Sequence, residues 1–295
     1  MNETSRKAVV VGFDLTESSR RAVWWAAREA SSRRHPLMLV HVLTWPFEEL
    51  APIKVPGEGD VLEPLQKILR QELAELVAGC WEIDAELEVH SSMPFGDPAE
   101  MLADLAGEAE VLVLGGPRIG MEFGVLGSTS AELLTRRTGA PIVVVRGGRE
   151  QLGSAPVVVG VDGSSASRLA MGFGYDFASR HGSELVAVHA WSDLPLDPFA
   201  RVQQWELPWG EVREEAEEVL ASSLSGWGER FPDVSVRRVV TPEKPAEALF
   251  REAEGASLLV VGSHGRGRIR RSLLGSVSHA VVNRASCPVA VLRAG

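Results

Sequence analysis

The hexamer Val9-Val10-Val11-Gly12-Phe13-Asp14 returns 148 residues later as Val157-Val158-Val159-Gly160-Val161-Asp162. The same offset pairs Ala30-Ser31 with Ala178-Ser179, Leu37 with Leu185, His41 with His189 and Gly127-Ser128 with Gly275-Ser276. With one residue of slippage, Pro98-Ala99-Glu100 matches Pro245-Ala246-Glu247 and Pro141 matches Pro288. Matches that run in order along both halves mean two copies of one fold, each of ordinary single-domain size. The join falls in the polar, glycine-containing stretch from Gly147 to Ala155. The copies are therefore expected at residues 1–147 and 153–295.

Within each copy, short apolar runs alternate with helix-period segments. In the first, strands are expected at Val9–Val11, Leu37–Val42, Glu86–His90, Val111–Leu114 and Ile142–Val145. Helices are expected at residues 18–34 (capped by Ser18 or Ser19), Leu62–Ala78, Pro98–Ala106 and Ser128–Arg137. The second copy repeats the order. Its strands are Val157–Val161, Leu185–Ala190, Ser235–Val240, Leu258–Val261 and Val289–Leu292, and its helices Ser165–Arg180, Glu211–Gly226, Ala246–Glu254 and Val277–Arg284. Strict βα alternation predicts an α/β fold with a parallel sheet and helices on both faces. Ligands of such sheets bind at the carboxyl ends of the strands, so the loops after strands one and four are the candidates for chemistry.

Composition excludes several classes of function. A hydrophobic fraction of 45% with 24% charged residues describes an ordinary globular chain, and a formal charge of -10 argues against a broad nucleic-acid surface. No apolar run approaches the roughly 20 residues needed to span a bilayer. The polar start, Met1 to Lys7, does not read as a signal peptide, and a cytoplasmic protein is expected. Cys80 and Cys287 lie in different halves with no metal-like spacing and read as reduced thiols.

The loop after the fourth strand of the second copy is the richest segment. Gly262-Ser263-His264-Gly265 follows the apolar run Leu258–Val261, and Gly275-Ser276 opens the next helix. A strand that ends in glycines and feeds a helix N-terminus builds an anion cradle from main-chain amides. Gly262 and Gly265 are expected to use positive φ angles and admit a phosphate closely. Ser276 and Ser278 are expected to add hydroxyl donors, and Val277 a further amide. Arg266, Arg268, Arg270 and Arg271 make the intervening loop cationic, which reads equally as a solvated basic loop. Asp162, ahead of Gly163-Ser164-Ser165, is placed to accept from a ribose hydroxyl or to hold Mg²⁺ between phosphates, with a helix cap as the plainer role. His264 has no partner acid or nucleophile at useful spacing and reads as a loop histidine. His41 and His189 read as strand-end packing, although main chain near Ala190 suits a base edge. Trp205 and Trp209, in the loop from Asp193 to Gly210, read as ligand-flanking or as packing against the next helix. Neither G-x-G-x-x-G after a first strand nor G-x-x-x-x-G-K-[ST] occurs.

The pattern G-x2-G-x9-G-[ST] of Gly262, Gly265, Gly275 and Ser276, with Asp162 ending strand one, resembles the ATP-binding branch of the universal stress protein family. The resemblance spans essentially the whole chain as a tandem of two such domains. It implies two Rossmann-like (adenine nucleotide alpha hydrolase-like) domains, each with an open five-stranded parallel sheet flanked by helices. It also implies ATP with Mg²⁺ at the strand ends: Asp162 and Gly163 on ribose or metal, main chain at Ala190 on adenine, and Gly262, Gly265, Arg266, Gly275, Ser276, Val277 and Ser278 at the phosphates. The matching first-copy residues are Asp14, Val42, Gly115, Gly127, Ser128, Thr129 and Ser130, with Asp14 as the metal ligand. There Gly115 leads into Gly116-Pro117-Arg118, so Arg118 stands where the second glycine belongs, and eight residues rather than nine precede Gly127. Proline removes an amide donor and restricts the loop. The first site is expected to be the weaker, with Gly116 and Gly120 helping. The terminal strands of each copy are expected to support self-association, as an intramolecular pseudo-dimer or a homodimer, which would cover open sheet edges.

Three functions follow. The first is a nucleotide-dependent regulator of stress response or growth. The second is a slow ATPase using the same cradle, for which no general base or arginine finger is placed by motif. The third is a scaffold that binds no nucleotide.

Overall fold

The computed structural model describes residues 7–44, 58–116, 126–136, 138–146, 155–191, 209–265 and 274–294, with backbone alone for 58–65 and 209. The segments carrying Trp45, Pro117 to Gly120, Trp205, Arg266, Arg268, Arg270 and Arg271 lie outside the described residues. Among the described residues the chain separates into two compact units, one up to Val145 and the other from Arg146 onward.

The first unit runs β1 (Val9–Gly12), α1 (Glu17–Arg33), β2 (Leu37–Val40), α2 (Glu58–Ile83), β3 (Val89–Ser92), α3 (Pro98–Glu108), β4 (Val111–Gly115), α4 (Ser128–Leu133) and β5 (Ile142–Val145). Its strand order is β3-β2-β1-β4-β5, all parallel. The second runs β6 (Val157–Gly160), α5 (Ser165–His181), β7 (Leu185–Ala190), α6 (Trp209–Leu224), α7 (Trp227–Arg230), β8 (Val236–Thr241), α8 (Pro245–Glu252), β9 (Leu258–Gly262), α9 (Ser276–Arg284) and β10 (Val289–Leu292). Its order is β10-β9-β6-β7-β8, again parallel. Each order reverses between the first and fourth strands of its unit, which places a ligand crevice at their carboxyl ends. The valine-rich central strands are buried on both faces, as a sheet covered by helices requires: Val9, Val11, Val111, Val113, Val157, Val159, Leu258 and Val260 are all 0% exposed.

Several features differ from the sequence reading, the longest being α2, which runs Glu58–Ile83 rather than Leu62–Ala78, while β2 stops at Val40 rather than Val42. The third strand begins at Val89 rather than Glu86, because Asp84 turns the chain by accepting from the Glu86 amide at 3.0 Å and the Leu87 amide at 3.1 Å. The helix read as Ser128–Arg137 stops at Leu133, and the Thr135 hydroxyl bonds back to the Glu132 carbonyl at 2.6 Å. The cap of α1 is Thr16, which accepts from the Ser19 amide at 3.2 Å; neither Ser18 nor Ser19 holds that place. The four-residue helix α7 was not foreseen; Trp227 at its start stacks on Tyr175 with ring centroids 5.5 Å apart.

The copies keep their helix contacts by different means. Ser31 donates to Asp84 at 2.6 Å in the first unit, and Ser179 to Asp233 at 2.7 Å in the second. In the first unit the Trp24 indole fills the space beside Gly79, where a Cβ would stand 2.5 Å from Cη2. At the equivalent positions of the second unit the partners are exchanged. Trp227 now supplies the indole and Gly172 the gap, at 2.8 Å. One ring per helix pair fits, from either side. Among the described residues no helix is long and apolar enough to cross a membrane.

Candidate functional site

The end of β6 turns into α5 through Asp162, Gly163 and Ser164. Gly163 has φ +77°, a left-handed conformation that glycine adopts without penalty. Ser164 caps α5 by accepting from the Ser167 amide at 3.1 Å. The Asp162 carboxylate is therefore not the cap. Its Oδ1 accepts from the Ser164 amide at 2.9 Å, and its own amide donates to Ser167 Oγ at 3.2 Å, which fixes the side chain over the strand end.

The loop after β9 closes on this turn. Ser164 Oγ donates to the His264 carbonyl at 3.4 Å, and Gly265 comes so near Asp162 that a Cβ there would lie 2.5 Å from Oδ2. Backbone faces the carboxylate where any side chain would collide. The loop returns to its own root: the Gly275 amide donates to the Ser263 carbonyl at 2.7 Å, and the Ser278 hydroxyl to the same carbonyl at 2.9 Å. The nine-residue α9 then begins at Ser276 with Gly275 at its N-cap and no side-chain cap, so its first amides and dipole face outward.

Two expectations are corrected here. Neither Gly262 nor Gly265 has a positive φ. Gly262 is required by packing instead: a Cβ would stand 2.8 Å from Ala166 Cβ and 3.0 Å from the Ala166 carbonyl carbon, both on α5. Ser278 is 2% exposed, and its hydroxyl clasps the loop rather than projecting toward a ligand. Ser276 is exposed and Val277 half-buried at the helix start, as a cradle needs. His264 Nδ1 meets the neighbouring Ser263 Oγ at 3.1 Å, in keeping with a loop role.

The first unit holds the same frame in a looser form. Asp14 Oδ1 accepts from the Thr16 amide at 3.1 Å and hydroxyl at 2.5 Å. Burial works to raise the Asp14 carboxyl, but hydrogen bonds from Thr16 and Ser19 outweigh it and hold the group below the ordinary carboxylate range. Leu15, opposite Gly163 in the alignment, is forced to φ +68° and is 44% exposed. Gly115 packs on α1 as Gly262 packs on α5, its missing Cβ 2.7 Å from the Ser18 carbonyl carbon. No bond joins Gly127 or Ser130 to Gly116, so among the described residues the clasp of the second unit has no counterpart. Gly127 caps α4 without a side-chain bond, Ser128 is exposed, Thr129 half-buried and Ser130 buried. The helix behind them has only six residues. Among the described residues no group of three His, Cys, Asp or Glu side chains is arranged to hold a metal. A divalent ion at Asp162 or Asp14 would need further oxygens from its ligand.

Sequence reasoning left one feature unread. His41 Nδ1 lies 2.8 Å from the Phe13 carbonyl and His189 Nδ1 2.6 Å from the Val161 carbonyl, in each case the residue just before the aspartate. The shared 148-residue offset was the available signal.

A family model for the universal stress protein family matches residues 5–146 and 154–293. Universal stress protein Rv2005c of Mycobacterium tuberculosis is 41% identical over 297 residues, covering 97% of this chain and 96% of that protein. Universal stress protein Rv2623 of the same organism is 38% identical over 303 residues, covering 98% and 97%. A crystal structure of a universal stress protein from Archaeoglobus fulgidus superposes with a TM-score of 0.70 at 20% identity, covering 98% of both chains, a likeness of fold.

Proposed function

The chain belongs to the universal stress protein family as a tandem of two such domains, and on that premise we propose that it is an ATP-dependent regulator with its principal site in the second unit. The approach of Gly265 to Asp162 carries this reading, because two loops meet there with backbone rather than side chain against a fixed carboxylate. The outward amides of α9 support a site for phosphate oxygens beside it.

In this reading Gly265, Ser276 and Val277 hold the phosphates through their amides, Gly275, whose own amide clasps the Ser263 carbonyl, sets the turn into α9 beside them, and Arg266 adds charge. Asp162 and Gly163 take the ribose or, with phosphate oxygens, a Mg²⁺ ion. Main chain at Ala190 takes the base. Magnesium would supply charge neutralisation between phosphates. Asp14, Val42, Gly115, Gly127, Ser128, Thr129 and Ser130 make the corresponding first-unit site, weaker because among the described residues no bond clasps Gly127 or Ser130 to Gly116 and its helix is short. Occupancy then biases conformation or self-association, and so growth or stress survival in the cytoplasm. Gly262 and Ser278 serve the site by shaping it.

Mass spectrometry of the small molecules released on denaturation, together with titration of ATP and Mg²⁺, tests this. Release of an adenine nucleotide with saturable binding is expected. Absence of both, with the protein folded, removes the reading and leaves the scaffold. Steady ATP turnover that disappears in Asp162→Ala would instead favour the slow ATPase.

A further inference from the structure

The last rung of the ladder between the first two strands of each unit is missing, and a histidine stands in its place. In a parallel pair, an amide on one strand bonds the carbonyl one residue back on its neighbour, and the next carbonyl accepts from one residue ahead. The Val161 amide follows this rule, donating to the Val188 carbonyl at 2.8 Å; the Phe13 amide does the same with Val40 at 2.8 Å. The next donors should be the amides of Ala190 and Val42, to the carbonyls of Val161 and Phe13. Neither bond forms. The imidazoles of His189 and His41 take those carbonyls, at 2.6 and 2.8 Å.

A carbonyl oxygen only accepts, so Nδ1 carries the proton in both rings. The His189 ring is 7% exposed, so the substitution occurs inside the fold. The Ala190 and Val42 amides consequently have no acceptor among the described residues. An amide left without a partner at a strand end lacks part of its stabilisation until something else accepts from it. By register, Ala190 lies across from Asp162 and Val42 across from Asp14, so the released donors open on the same crevice as the carboxylates.

We infer that His189 and His41 are positioning residues for base recognition: each satisfies the strand-one carbonyl so that the amide one residue further along remains free to donate to a purine ring nitrogen. This rests on the nucleotide reading of the crevice and adds how the base is selected. The pairing edge of adenine presents a bare ring nitrogen to such a donor, whereas guanine presents an N–H at that position. A lone amide therefore favours adenine. The device is present in both units, including the first, where the phosphate loop differs.

Backbone amide exchange measured by NMR on the full chain without ligand tests the device itself. In the wild type the Ala190 amide exchanges at least tenfold faster than that of Val188. In His189→Phe the Val161 carbonyl recruits the Ala190 amide, whose exchange slows toward that of Val188. His189→Asn keeps a donor at the Nδ1 position and restores fast exchange. ATP titrations follow the same order. His189→Phe weakens ATP by about tenfold, the worth of one hydrogen bond of roughly 1.4 kcal/mol, and narrows the margin between ATP and GTP, whereas His189→Asn recovers both. A wild-type Ala190 amide as protected as that of Val188 overturns the inference. So does equal ATP affinity in wild type and His189→Phe. Because the exchange arm needs no nucleotide, fast exchange at Ala190 in a protein that binds no ATP would reject the nucleotide reading and the base-recognition role with it, leaving only the exchange of the ladder bond for the histidine.

Discussion

The two glycines that flank Ser263 and His264 should fail differently when given a methyl group. At Gly262 the new Cβ would lie 2.8 Å from Ala166 Cβ, 3.0 Å from the Ala166 carbonyl carbon and 3.0 Å from the Ser167 amide nitrogen. Carbon contacts normally settle near 3.5–4.0 Å. The overlap is thus about 0.5–1 Å, and two of the three atoms are helix backbone that no rotamer change can move. Relief requires α5 to lift from β9, and overpacking of this kind costs about 1–3 kcal/mol. At Gly265 the new Cβ meets one close atom, Asp162 Oδ2 at 2.5 Å, with Asp162 Cγ at 3.7 Å and nothing else within 4 Å. The carboxylate can swing away if Oδ1 gives up the Ser164 amide, a change worth about 0.5–1.5 kcal/mol. Gly262→Ala should therefore lower the unfolding free energy in urea by about 1–3 kcal/mol. Gly265→Ala should lose only about 0.5–1.5 kcal/mol, the worth of the Ser164 bond, yet weaken ATP by about tenfold, because Asp162 has moved. Combining Gly265→Ala with Asp162→Ala should abolish the steric term, so the two stability changes should not add. An unchanged ATP affinity in Gly265→Ala, or a Gly262→Ala protein as stable as wild type, would refute the assignment of packing to one glycine and ligand space to the other.

Asp162→Ala or Gly275→Glu should remove most of the nucleotide that leaves the denatured protein, whereas Asp14→Ala should remove less than half; chromatography of the released nucleotide gives the stoichiometry, and equal losses would contradict the asymmetry of the sites. Leu15→Gly should stabilise the first unit by roughly 0.5–1 kcal/mol in urea unfolding, since it removes a left-handed leucine at the cost of some unfolded-state entropy. Burial pushes the thiols of Cys80 and Cys287 up to about 12 from 9.0, so neither should react with a thiol reagent until the chain unfolds. The same shifts carry a sign for stability. Above pH 9 the unfolded chain loses thiol protons that the native state retains, so stability should fall as pH rises from about 9 to 12, as urea midpoints across that range would record.

Much of this protein was legible because its signals are local and occur twice. Valine runs that bury both faces, capped helices between them and a fixed offset of 148 residues specify two parallel βα units, and Ile142–Val145, Leu185–Ala190 and Val289–Leu292 lie where the pattern puts them. The cluster of Asp162 with the glycine loop was readable for the same reason, since the strand order of such sheets brings the loops after strands one and four together. What each glycine does was not readable. Sequence offers positive φ and close approach as equal explanations, and only the distance from Gly262 to Ala166 and from Gly265 to Asp162 separates them. The reciprocal exchange of Trp24 with Gly79 and Gly172 with Trp227 depends on two helices meeting, which no single segment encodes. The Ala190 amide, without an acceptor among the described residues, is a property of a ladder that ends one rung early, where His189 reaches across to another strand. Periodicity and turn chemistry are decided by neighbours along the chain, and these the sequence determines by itself; contacts between elements far apart in sequence are decided by packing, and those belong to the tertiary structure.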